Sequence, residues 1–114
     1  MSPDKDRVYL EYILECIIKI KRYTKRGREC FLEDDLIQDA VLRRLQTMAE
    51  STQRLSDDFK IRVTEIDWRA LSGFRNVLVH EYLGGIDLEW TWDIIENYLP
   101  DFEKVIVARL GLFR

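Results

Sequence analysis

Apolar residues recur at helical spacing along nearly the whole chain. Leu10, Ile13, Leu14, Ile17 and Ile20 make one stripe of a first helix over about residues 3–25, and Tyr9, Tyr12, Cys16 and Tyr23 make a second. A helix apolar on two sides is either central in the core or shared between the core and a partner. Ser2 before Pro3 suits its cap and Gly27 its stop. A second helix, over about residues 33–55, is expected to turn Leu36, Ile37, Ala40, Val41, Leu45 and Met48 inward, with Asp34 and Asp35 at its start. Ser56 and Asp57 open a connector with room for one helical turn before Arg62. A third helix covers about residues 67–82 and ends at Gly84 and Gly85. Asp87 caps a fourth along Leu88, Trp92, Ile95 and Leu99. Pro100 either kinks that helix or opens a new one before Phe102, Val105, Ile106 and Leu110. The pattern predicts an all-α, up-and-down bundle of four to five helices, the last broken near Pro100.

Composition narrows this picture without changing it. The 114 residues suit one domain, residues 1–114, and only five Gly and two Pro leave little material for a turn-rich β fold. No stretch approaches the roughly 20 apolar residues needed to span a bilayer, and the polar N-terminal segment shows no signal-peptide core. The expected location is therefore cytoplasmic, with no membrane partner. Cys16 reads as a small core residue. One His and two separated Cys, Cys16 and Cys30, make no convincing zinc site, so neither a metal nor a cofactor is expected.

Charge is distributed unevenly. The net charge is −3, yet residues 19–28 hold six basic and no acidic residues, leaving −9 on the other 104. Lys21, Arg22, Lys25, Arg26 and Arg28 can hold a phosphate backbone or an acidic partner. A solvated helix end, where positive charge suits the macrodipole, accounts for the same residues.

The candidate chemistry lies on the third helix. At about 100° per residue, Leu71, Phe74 and Leu78 form its core stripe, with Ala70 and Val77 beside it. Arg69, Gly73, Asn76 and His80 form a separate stripe, which Gly73 leaves open to a substrate or another helix. Trp68, Ser72, Arg75, Val79 and Tyr82 form a third. His80 is the only histidine, hence the only side chain that ordinarily titrates near neutral pH. Arg75 and His80 stand about 140° apart on an ideal helix. Either the arginine bends round, or a second copy of the helix supplies the missing group across a two-fold interface. The residue types suit phosphodiester cleavage. An imidazole can take a proton from an attacking hydroxyl or give one to the leaving oxygen, and a guanidinium can stabilise charge on the phosphate. In RNA the attacking group can be the substrate's own 2′-hydroxyl, so no metal is required. From spacing alone, a lone histidine on an amphipathic helix is more often structural than catalytic, and an arginine five residues away is common by chance.

The longer string Trp68-Arg69-Ala70-Leu71-Ser72-Gly73-Phe74-Arg75-Asn76-Val77-Leu78-Val79-His80-Glu81-Tyr82, followed by Gly85-Ile86-Asp87, resembles the HepT family, a branch of the HEPN superfamily of nucleotide-binding helical domains. Residues 40–46, Glu50 and Arg54-Leu55-Ser56 look like that family's second helix. The resemblance covers nearly the whole chain and is weakest over residues 24–33. It implies a homodimeric bundle that serves as the toxin of a bacterial or archaeal toxin–antitoxin pair. It also implies a metal-independent endoribonuclease site at the dimer cleft, with Arg75 and His80 as the catalytic pair and Asn76 as a polar helper. The implied partners are RNA and a minimal nucleotidyltransferase antitoxin, which silences such toxins by transferring AMP to the motif tyrosine, here Tyr82. Family members often carry proline where Asp67 stands; aspartate can still open a helix there. Two further readings compete with the toxin: a non-catalytic module that binds a nucleotidyltransferase or a nucleotide, and a plain structural helical dimer.

Overall fold

The computed structural model describes residues 3–81 and 85–113, which are helical throughout apart from short connectors. Seven helices occur among the described residues: α1 (Pro3–Tyr23), α2 (Arg28–Glu33), α3 (Asp35–Gln53), α4 (Asp57–Arg62), α5 (Trp68–His80), α6 (Leu88–Asn97) and α7 (Leu99–Gly111). The all-α expectation holds, while the count of four to five is too low. The unexpected element is α2. Gly27 adopts φ +95, a conformation that favours glycine, and interrupts the chain between α1 and α2. Asp34 is extended (φ −110, ψ 106), so a new helix begins after it, and its carboxylate accepts from the Leu36 amide at 3.0 Å.

The remaining boundaries follow local chemistry. Ser56 caps α4, its Oγ accepting from Phe59 N at 3.1 Å. Asp87 caps α6 by accepting from the Glu89 and Trp90 amides. Pro100 opens α7 within its first turn, where a missing N–H removes no intrahelical bond. The proposed Ser2 cap and the stop at Gly84 lie outside the described residues; Gly85 has φ +91.

Helix α3 lies between α1 and α5, and α7 packs on α1 and α6. Its buried stripe is Val41, Leu45, Met48 and Thr52, with Leu42 and Ala49 alongside. Leu10, Ile13, Cys16, Ile17 and Ile20 meet it from α1, and Leu71, Phe74 and Leu78 from α5. Ile95, Leu99, Phe102, Ile106 and Leu110 complete the core. Leu36 is the exception to the expected inward set, at 75% exposure. It stands about 140° round the helix from Val41, so the stripe passes it by.

Two contacts set the register of α1 against α3. Cys16 Sγ lies 3.5 Å from Thr47 Oγ1, and the buried Asp6 carboxylate accepts from Ser56 N at 2.8 Å and from Ser56 Oγ at 2.6 Å, just past the end of α3. The two helices therefore run antiparallel. Asp6 is a buried acid whose oxygens are both satisfied, and through Ser56 it ties the start of α1 to the cap of α4.

Hydrogen bonds to charged groups contribute about 1.5–3 kcal/mol each, and losing them leaves Ser56 buried and short of a partner. Two such bonds are lost, so Asp6→Ala is expected to lower unfolding stability by about 3 kcal/mol or more in urea titrations at fixed protein concentration. A change below about 0.5 kcal/mol would show that the tie to Ser56 has no net stabilising effect.

Candidate functional site on the α3–α5 seam

Helix α5 begins where Asp67 stops being extended, and the Asp67 side chain accepts from Ala70 N at 3.0 Å. Trp68 anchors that first turn: its Nε1 donates to the carbonyls of Lys60 (3.1 Å) and Val63 (3.0 Å), and its ring meets Phe59 edge-on at 6.1 Å. One face of α5 is thus fixed by apolar burial and its start by polar bonds, which sets the direction of every side chain on it.

Facing α3, α5 forms a polar seam. Gln53 and Ser72 exchange hydrogen bonds at 3.1 and 3.4 Å. One turn further along, Arg75 Nε donates to Glu50 Oε1 at 2.8 Å, and Arg75 Nη1 donates to Asn76 Oδ1 at 3.2 Å. The position paired falls on α3 as it rises on α5, so these helices are antiparallel. The side chains of Arg75 and Glu50 remain 34% and 38% exposed, so solvent reaches the guanidinium. The sequence marks Glu50 only as part of a second helix and does not single out Gln53. The one available signal is that they stand three residues apart, on one face of α3.

The structure brings Arg75 and Asn76 together and leaves His80 on a different stripe, exposed, in the last turn of α5. No hydrogen bond joins Arg75 to His80. Arg69, Gly73 and Asn76, the rest of the His80 stripe, are exposed as well. A Cβ added to Gly73 meets nothing within 4 Å, so the face beside it is open. Next to it lies an apolar cavity of about 210 Å³ lined by Met48, Phe74, Val77, Trp90, Ile94 and Tyr98. Partial burial raises the Tyr98 hydroxyl above its ordinary value, and the Asp67 carboxylate adds to the effect. Tyr82, the expected modification site, lies outside the described residues.

Much of the basic run is engaged within the chain. Lys21 pairs with Glu103 at 3.2 Å, Arg28 with Glu89 at 3.1 Å and Lys19 with Glu15 at 3.1 Å, while Arg22 lies over the Tyr23 ring at 5.4 Å. Lys25 and Arg26 are exposed in the turn between α1 and α2. Because α1 and α5 both run antiparallel to α3, their C-terminal ends lie toward the same end of the bundle. The basic turn and His80 therefore share that end, a proximity that sequence spacing does not reveal. Among the described residues, no three His, Cys, Asp or Glu side chains gather as a metal-binding group, and no helix is long and apolar enough to cross a membrane.

The sequence model of the Ribonuclease HepT-like family matches residues 13–108. A Methanocaldococcus jannaschii protein, named as a gamma-glutamylcyclotransferase and provisionally as an RNase, is 31% identical over 102 residues; the match covers 89% of this chain but only 46% of that protein. A Caldanaerobacter subterraneus protein, provisionally named an RNase, is 32% identical over 101 residues, covering 88% of this chain and 89% of the relative. A Thermococcus cleftensis protein named as a probable ribonuclease HepT is 35% identical over 102 residues, covering 85% and 92% respectively. No solved structure matches the chain.

The cap at Asp67 is the site feature most easily tested alone. Replacing an N-cap aspartate by alanine typically costs about 1 kcal/mol. Asp67→Ala should therefore lower stability by that amount, and Asp67→Ser should recover most of it. Equal stability of Asp67→Ala and wild type in chemical denaturation would show that Trp68 alone sets the start of α5.

Proposed function

The chain belongs to the HepT-like ribonuclease family, and from this we propose that it is an endoribonuclease toxin that cuts RNA with Arg75 and His80, without a metal, across a two-fold homodimer. The observation that carries this reading is the seam. Arg75 is held at 2.8 Å by Glu50 with its guanidinium still open to solvent, beside Asn76 and on the helix that ends at the exposed His80.

In this reading the 2′-hydroxyl of RNA attacks the adjacent phosphorus while a neutral His80 takes its proton. Arg75 stabilises charge on the non-bridging oxygens. The bond to the 5′-oxygen breaks, and that oxygen takes a proton from an imidazolium. The products are a 2′,3′-cyclic phosphate and a 5′-hydroxyl. One α5 aims Arg75 and His80 in different directions, so a second copy supplies the complement. The open face at Gly73 and the apolar cavity beside it offer that copy a surface on α5, with part of α1 expected to join the interface. Lys25 and Arg26, with Lys21, Arg22 and Arg28, hold the RNA backbone or the antitoxin rather than act on the reacting atoms. A nucleotidyltransferase antitoxin transfers AMP to Tyr82, and the added phosphate competes for Arg75.

A second reading is an interaction module that binds a nucleotidyltransferase or a nucleotide without cutting RNA. The ion pair of Arg75 with Glu50 favours it, because part of the guanidinium's charge is already balanced.

Removing a general acid–base group typically costs about 10²–10⁴-fold in rate. His80→Ala should lose RNA cleavage on that scale with an unchanged circular dichroism spectrum, and Arg75→Ala should suffer comparably through lost phosphate stabilisation. Cleavage by His80→Ala at the wild-type rate would overturn the catalytic assignment and leave the binding module.

For modification, intact mass after co-expression with a nucleotidyltransferase partner should show added AMP on wild type and none on Tyr82→Phe, which keeps its ribonuclease activity. An adduct persisting on Tyr82→Phe would place the target elsewhere.

A further inference from the structure

We propose that Glu50 is a positioning residue: its carboxylate fixes the direction of the Arg75 guanidinium and so sets which N–H groups meet the RNA phosphate. This role rests on the ribonuclease reading above.

The geometry carries the argument. Glu50 takes the Nε–H of Arg75 at 2.8 Å, and Asn76 takes one Nη1–H at 3.2 Å. A planar guanidinium held at two nitrogens has its plane defined, and its remaining N–H groups on the two Nη nitrogens stay free for a phosphate. The support is packed. Glu50 stands near the C-terminal end of the 19-residue α3, flanked by buried Met48, Ala49 and Ser51. The Gln53–Ser72 exchange, one turn away, holds the two helices at this spacing.

The energetics fit positioning better than stabilisation. Both partners are more than one-third exposed, and such pairs contribute little to folding. An exposed pair leaves the guanidinium accessible, so a phosphate can join it without first displacing a buried partner. The carboxylate's negative charge also repels an approaching phosphate, so Glu50 trades binding strength for orientation. Glutamine keeps an accepting oxygen for the Nε–H and loses that charge; alanine loses both.

The two variants should therefore part company, which a merely structural role does not predict. Glu50→Ala should lower kcat roughly tenfold to a hundredfold, the scale on which small misplacements act. Glu50→Gln should restore most of that kcat and lower KM below the wild-type value. On an Arg75→Ala background, Glu50→Ala should change nothing further, because it acts through the missing side chain. Equal kcat losses in Glu50→Ala and Glu50→Gln, or a full additional loss on the Arg75→Ala background, would overturn the proposal. The pairing is read separately in ¹H–¹⁵N spectra, where the Arg75 Nε–H should exchange slowly in wild type and fast in Glu50→Ala. Equally fast exchange in both would overturn it whatever the protein does to RNA. Wild-type cleavage no greater than that of His80→Ala would defeat the ribonuclease reading instead, even with the Nε–H protected, so the two failures are told apart.

Discussion

Burial of α3 between α1 and α5 is the constraint on which the rest of the structure depends. Val41, Leu45, Met48 and Thr52 lose their water along one stripe, and their partners on α1 and α5 lose it with them. That packing fixes the side of α3 on which Glu50 and Gln53 stand and the side of α5 on which Ser72 and Arg75 stand. The polar seam is a consequence: once the apolar stripes are matched, the antiparallel register brings the paired positions together at 3.1 and 2.8 Å. The exposed ion pair is too weak to create this arrangement. It uses the arrangement to orient a guanidinium.

The same packing leaves a division of labour on α5. Its Leu71–Phe74–Leu78 stripe belongs to the core, its Ser72–Arg75 stripe to the seam with α3, and its Gly73–Asn76–His80 stripe to the outside. A single protomer therefore presents the arginine and the histidine on different faces. In the proposed reading two copies complete one site together, with the open face at Gly73 and the apolar cavity next to it giving the second copy room. The basic turn after α1 lies toward the same end of the bundle as His80.

Features set by neighbouring residues were legible in the sequence. The caps at Asp34, Ser56, Asp67 and Asp87 depend on a side chain reaching an amide two or three residues on, so composition and spacing reveal them. The core stripes of α1 and α5 follow directly from helical period. Features set by distant residues were not legible. Glu50 meets Arg75 across 25 positions, and Asp6 meets Ser56 across 50. An acid near a chain start reads as surface until the fold surrounds it. The short α2 is not legible in the sequence, because six residues after the basic run and Gly27 are too few to show a helical period. Leu36 is apolar and one turn before Ala40, yet it stands away from the buried Val41–Leu45–Met48–Thr52 stripe, which only the packing of α3 defines.

The central claim, that Arg75 of one copy and His80 of another form one site, is tested most directly by mixing inactive subunits. Arg75→Ala and His80→Ala chains, purified separately and allowed to exchange, form mixed dimers in which one composite site keeps both wild-type residues. The account predicts that RNA cleavage returns, at about half the wild-type rate per mixed dimer, because one of two equivalent sites is whole. Mixed dimers no more active than either parent would show that each site is built within a single chain.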